Sequence, residues 1–208
     1  VTDSGEWFRQ HSKLAELVVF VQELDMDKSL KKGESLFYEG DSGTLWRVEC
    51  GVILLQKTTH DGVAVTQLAL PGDIIGLEGL CNRPYANTAI ALVHSRLSQQ
   101  GASDQFSAFS AVAEGYMQQQ QRMHDMTKLR TGSVASRLKY LIEMLAVTKD
   151  GTAQKFIRKD LPTLREMSQI MDITGETICR ELKTIFPQTG RTTNSVSEAK
   201  NINYAFSS

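Results

Sequence analysis

The chain lacks most of the features that mark an enzyme, a secreted disulfide scaffold or a membrane protein. Its three cysteines stand at positions 50, 81 and 179, odd in number and without a C-x-x-C pair. That pattern argues against a disulfide framework and suits a reducing cytoplasm. No apolar run approaches the ~20 residues of a membrane span, and no signal-peptide pattern is present. A cytoplasmic protein without a membrane partner is therefore expected. There is no Walker loop, no metal-ligand cluster and no Ser/His/Asp or Cys/His set at meaningful spacing. His94 and His124, with the few carboxylates near them, suggest no chemistry, so an enzyme is not expected. Net charge is only −1, which excludes a globally basic polyanion binder. Any nucleic-acid site has to be a local basic patch.

What is present is the composition of a soluble globular protein, with 41% hydrophobic and 23% charged residues. A chain of 208 residues is long enough for one large or two small domains with real cores. Trp7, Phe8, Leu14, Leu17, Val18 and Val21 give a helical lead-in over 1–24. From 29 to 97 the pattern becomes short alternating or apolar runs, at 35–38, 45–50, 52–57, 63–70, 74–75 and 88–92. Turn signals at Gly33, Gly40-Asp41, Gly51, Asp61-Gly62 and Pro71-Gly72-Asp73 separate them, which predicts an antiparallel sandwich or barrel. From 99 to 146 the period is helical. Phe106, Phe109, Val112, Ala113, Tyr116 and Met117 follow i, i+3, i+4 spacing, continued by Met123, Met126 and Leu129. Spacing alone fits either a core helix or an intersubunit seam. Thr131-Gly132-Ser133 breaks the helix, and Val134, Leu138, Leu141, Ile142 and Leu145 form the face of the next one. A short strand is expected at 155–158.

The most informative stretch is 163–186, TLREMSQIMDITGETICRELKTIF. Thr163 followed by Glu166 has the spacing of a capping box, and Met167, Ile170 and Met171 form an apolar stripe. Asp172-Ile173 makes the turn, and Thr174 caps a second helix. Ile178, Leu182 and Ile185 are the buried stripe of that helix, which Pro187 ends. Its other face carries Glu176, Cys179 and Arg180 at i, i+3, i+4. In a helix-turn-helix this face enters the major groove. There Arg180 could pair with guanine O6 and N7, and Glu176 could accept from cytosine N4. Thr163, Arg165, Thr174 and Thr177 are suited to phosphate contacts. The same Glu176–Arg180 spacing is also that of an ordinary surface ion pair, contributing roughly 0.2–0.5 kcal/mol.

The run ITGETICR resembles the recognition helix of the CRP/FNR family of bacterial transcription regulators, as Glu176-Thr177-Ile178-Cys179-Arg180 after Thr174. Gly175 stands where the CRP branch has a further Arg, so the helix looks closer to the FNR branch, whose half-site is TTGAT rather than TGTGA. KKGESLFYEGD and LALPGDIIGL resemble the family's sensor domain, and VASRLKYLI resembles the first helix of its DNA-binding domain. The resemblance implies an α+β fold. An N-terminal antiparallel β-roll (a cyclic-nucleotide-binding-like jelly roll) with its helical lead-in would occupy 1–103. A long dimerisation helix would span 104–130, pairing two subunits through Val112, Tyr116, Met123 and Met126. A C-terminal winged helix-turn-helix would span 131–208, with Gly190-Arg191 at the wing turn.

The same resemblance places an effector pocket around Gly76, Leu77, Glu78, Asn87 and Thr88. Cyclic-nucleotide binders carry a Glu where Leu77 stands and an Arg-Ser pair where Asn87-Thr88 stands; Glu78 and Arg83 are near but out of register. Cyclic AMP is therefore not the expected ligand: control by another signal, or competence without any ligand, is expected. An iron–sulfur centre of the FNR kind takes three of its four cysteines upstream of Cys50, where this sequence has none; with cysteines preceding Val1, Cys50 or Cys81 could be the remaining ligand. Haem could use His60, His94, Cys50 or Cys81, but no spacing selects one. The cofactor stays unknown. Cys179 is either a redox-sensitive thiol near Arg180 or a small residue that fits the groove. The implied partners are double-stranded DNA, a second copy of the chain, RNA polymerase and an unknown small-molecule or redox effector. The alternative is a ligand-binding module acting on a protein partner.

Overall fold

The computed structural model describes residues 27–101, 104–146 and 161–186. The lead-in over 1–24, the strand at 155–158 and the wing around Gly190-Arg191 lie outside these residues. Eight strands come first: β1 (Asp27–Leu30), β2 (Ser35–Phe37), β3 (Leu45–Cys50), β4 (Ile53–Thr59), β5 (Gly62–Ala69), β6 (Ile74–Ile75), β7 (Thr88–Ala91) and β8 (Ser95–Gln100), with a 3-10 helix at Leu77–Cys81. Four helices follow: α1 (Gln105–Arg130), α2 (Val134–Ala146), α3 (Leu164–Met171) and α4 (Gly175–Ile185).

The strands make two antiparallel four-stranded sheets, ordered β1-β8-β3-β6 and β2-β7-β4-β5. Alternation along β4 explains how both faces of the second sheet are used. Ile53 and Leu55 point into the core between the sheets, with Val48, Ala89 and Leu97. Val52 and Leu54 point the other way, into a core shared with the helices. A register shift opposite Leu55–Gln56 leaves Thr66 as an extra residue in β5. The bulge breaks the period of two, so Val65 and Leu68, three positions apart, both face the helices.

Helix α1 begins at a capping box in which Asp104 accepts from the Ser107 N–H. At ~1.5 Å per residue it runs about 39 Å. Thr131 and Gly132 end it, the glycine with φ of 87°, a conformation that costs other residues a steric penalty. Met126 and Leu129 from α1, Leu138 and Leu141 from α2, Ile170 from α3 and Ile178 from α4 then join Leu54, Val65 and Leu68 in one apolar core. The sheet face that the sequence pattern leaves open is thus covered by the helical half.

Strand β8 corrects the sequence expectation. The sequence pattern is helical from Gln99 onward, yet Ser95–Gln100 is a central strand that pairs with both β1 and β3. Only one bulky apolar side chain, Leu97, faces the core from it. Its conformation comes from the two flanking ladders rather than from its own pattern.

Candidate nucleic-acid interface and effector cavity

Helices α3 and α4 form the helix pair that the capping signals predict. Thr163 accepts from the Glu166 N–H (3.2 Å), and the Glu166 carboxylate accepts from the Thr163 N–H (2.6 Å). Asp172 closes α3 with φ of 53°, a left-handed conformation that Asp tolerates better than most residues. Thr174 caps α4, accepting from the Thr177 N–H (3.4 Å). Met167, Ile170, Met171, Ile178 and Leu182 are buried and fix the second helix on the first.

The remaining face of α4 is open. The side chains of Glu176 and Arg180 are 86% and 76% exposed and 3.4 Å apart. So solvated a pair separates at little cost, which leaves the guanidinium free to engage another partner. Gly175, Thr177 and Cys179 are half-buried. A Cβ at Gly175 would meet only ordinary contacts with Leu164, at 3.7 Å, so the position accommodates a side chain. Thr163, Arg165 and Thr174 are exposed on the same helix pair. The Thr177 and Thr174 hydroxyls lie 2.9 Å apart, so Thr177 already serves the cap.

The second site is a cavity of about 370 Å³ between the 3-10 helix, β6, the second sheet and α1. Gly76, Leu77, Glu78 and Asn87 line it, as the sequence reading places them, with Arg83, Cys81, Gln67 and Gln119. Thr88 does not: its hydroxyl accepts from the Glu39 N–H (3.0 Å), outside the lining. Gly76 has φ of 78°, and a Cβ there would come within 2.8 Å of the Thr44 carbonyl, so only glycine fits without a shift. Phe37, on the cavity wall, stacks on Tyr85 with ring centroids 3.8 Å apart. Leu77 leans on α1, where a Cβ at Gly115 would fall 2.3 Å from Leu77 Cδ1.

Along α1, Phe106 and Phe109 are 81% and 71% exposed, and Val112, Tyr116, Met117 and Met123 are exposed too. Met126 corrects the expected seam. It is buried against the chain's own core, because three residues past Met123 the helix has turned onto the face that carries Leu129.

A buried polar cluster escaped the sequence reading. Asp73, in the turn between β5 and β6, and Asp125, in α1, are each only 3% exposed. Arg122 lies between them, with Nε 3.0 Å from Asp73 and Nη1 2.5 Å from Asp125. The Nε–H is not aligned for a hydrogen bond, so its contact with Asp73 is a charge contact. Tyr140 of α2 donates to Asp125 (2.7 Å). The cluster thereby joins the sheet turn, the long helix and the first helix beyond it. Burial raises the Asp73 carboxyl above the usual carboxylate range, opposed by the Leu70 N–H and Arg122. Burial and the adjoining Asp125 push the Tyr140 phenol up to about 12. Arg47 clamps Glu114 of α1 at 2.9 Å, and that hydrogen bond holds the Glu114 carboxyl below its ordinary value. No group of three or more His, Cys, Asp or Glu suited to a metal occurs among the described residues. No helix among them is long and apolar enough to cross a membrane.

Residues 27–111 match the family model of the cyclic nucleotide-binding domain. Sequence comparison with curated proteins finds no match. The fold is similar to that of a CRP-family transcriptional regulator from Thermus thermophilus, at 23% identity and a TM-score of 0.62, covering 81% of this chain and 88% of that one. It is also similar to FixK2 from Bradyrhizobium japonicum (19%, TM-score 0.58, 83% and 90% covered) and to a second Thermus thermophilus regulator, of the CRP/FNR family (18%, 0.55, 82% and 90%). These likenesses span the β-sandwich of the cyclic nucleotide-binding domain and extend into the helices beyond it.

Proposed function

We propose that the chain is a sequence-specific DNA-binding transcription regulator of the CRP/FNR type that acts as a homodimer. Residues 1–103 serve as effector domain, 104–130 as dimerisation helix and 131–208 as winged helix-turn-helix. The observation that carries this reading is the doubly capped α3–α4 pair, which buries one stripe and leaves Glu176 and Arg180 open to solvent on the first turns of α4. Arg180 reads a guanine edge and Glu176 a neighbouring cytosine. Thr163, Arg165, Thr174 and Thr177 hold phosphates, and RNA polymerase is the downstream partner. The exposed stripe Phe106, Phe109, Val112 and Tyr116 supports pairing of two α1 helices. Two-fold symmetry then sets the recognition helices about 34 Å apart on a near-palindrome. Leu77 and Asn87, where cyclic-nucleotide binders carry Glu and Arg, favour a signal other than cyclic AMP.

Fluorescence anisotropy at fixed salt tests this, comparing TTGAT-N4-ATCAA, a TGTGA palindrome and a scrambled duplex. Selective binding to the first is expected. Preference for the second would overturn the FNR-like reading of Gly175. Equal binding to all three duplexes, across ligand and redox conditions, would favour a ligand-binding module that acts on a protein.

A further inference from the structure

The groups around the 370 Å³ cavity differ in what they still have to offer. Its volume is in the range of small-molecule sites. The carboxylate in the lining, Glu78, accepts from the Ala86 N–H (3.1 Å) and so braces the loop that carries Arg83. Asn87 uses its oxygen to accept from the Thr66 hydroxyl (2.9 Å), which leaves its amide N–H groups free to donate. The exposed Arg83 guanidinium has no ion pair or side-chain hydrogen bond among the described residues. Apart from two glutamine amides, the rest of the wall is mostly apolar, with Leu55, Ile75, Leu77 and Val112. The cavity thus presents a cation, an amide donor and a hydrocarbon surface, beside the second Glu78 oxygen and the two glutamine amides.

The geometry points to an apolar monocarboxylate as the effector, its head group held by Arg83 and Asn87 and its chain lying along Leu55, Leu77 and Val112. A guanidinium binds a carboxylate in bidentate fashion, and each buried methylene adds favourable transfer free energy. This assignment rests on the reading of the sandwich as a control element, but its test does not depend on DNA.

The probe is octanoate, titrated calorimetrically into the full chain, with butanoate, octanol and cyclic AMP as comparisons. One octanoate per chain is expected. Octanol should bind about tenfold more weakly, for want of the charge-assisted bond. Butanoate should bind on the order of a hundredfold more weakly, for want of four methylenes. Arg83→Gln, a change at an exposed position, should weaken octanoate about tenfold. Alkylation locates the site independently. Octanoate should slow iodoacetamide modification of Cys81, which lines the cavity, while leaving Cys179 on α4 unchanged. Octanoate binding that is unaffected by Arg83→Gln, or that leaves Cys81 unprotected, would overturn the assignment, as would cyclic AMP binding with protection of Cys81 where octanoate gives none. Failure of DNA selectivity with octanoate binding intact would sink the regulator reading and leave the cavity's ligand class standing.

Discussion

Tyr140→Phe isolates the hydrogen bond that joins α2 to α1. The ring keeps its packing and loses only the hydroxyl, which donates to Asp125 at 2.7 Å. Asp125 Oδ1 would then retain only the Gln121 amide, at 3.3 Å, while Oδ2 stays with Arg122. A hydrogen bond to a charged group contributes ~1.5–3 kcal/mol. Because Tyr140 is itself only half-buried, the lower part of that range applies, about 1.5–2 kcal/mol. With a urea slope of about 2 kcal/mol/M, the unfolding midpoint should fall by nearly 1 M, with the slope unchanged. The pH dependence gives a second reading. Burial raises the Tyr140 phenol from 10.0 to about 12 in the folded chain. The folded state therefore holds the proton longer than the unfolded one, and the contribution is fully present below pH ~10 and lost as pH rises through ~12. The stability gap between wild type and Tyr140→Phe should shrink over that window. A midpoint shift below about 0.2 M, or additivity with Asp125→Asn in a double-mutant cycle, would refute the reasoning.

Arg180→Ala should cost about 1–3 kcal/mol on the specific duplex and far less on the scrambled one; equal losses on both would mean that Arg180 touches only phosphate. Gly175→Arg fits the helix sterically and should move preference toward the TGTGA palindrome, measured by competition anisotropy. Gly115→Val should overpack against Leu77 and destabilise by about 1–3 kcal/mol, with the loss reduced in a Leu77→Ala background. Thr163→Ala removes the acceptor for the Glu166 N–H and should cost ~1 kcal/mol in thermal or urea unfolding.

Which parts of this molecule can be read from the sequence follows from how local their causes are. The α3–α4 pair is legible because Thr163, Glu166 and Thr174 satisfy backbone groups within one turn. Strands β2 to β6 are legible because glycine turns bound short apolar runs. Strand β8 is not, since SRLSQQ becomes a strand only between β1 and β3. The Asp73–Arg122–Asp125–Tyr140 cluster is illegible for the same reason. Pro71-Gly72-Asp73 reads as an ordinary surface turn, and nothing local says that its carboxylate is buried beside an arginine far along the chain. The cavity falls between the two cases. Family resemblance places Gly76, Leu77, Glu78 and Asn87 there, whereas Arg83, which like Glu78 is out of register with the family pattern, lines the same space. Met126 fails at finer grain, because a helical stripe read at i, i+3, i+4 drifts around the axis over several turns.

The apolar core that runs from Leu54 and Val65 through Met126 and Leu138 to Ile170 and Ile178 limits how this protein can be taken apart. Cutting between α1 and α2 would bare hydrocarbon on both pieces, so neither fragment inherits a finished surface. Grafting α3 and α4 onto another sandwich would require matching the sheet face that Val65 and Leu68 present, not only the linker. The α3–α4 pair is seated on the sandwich rather than tethered to it. A change of shape in β5 therefore reaches α3 and α4 through side-chain contact.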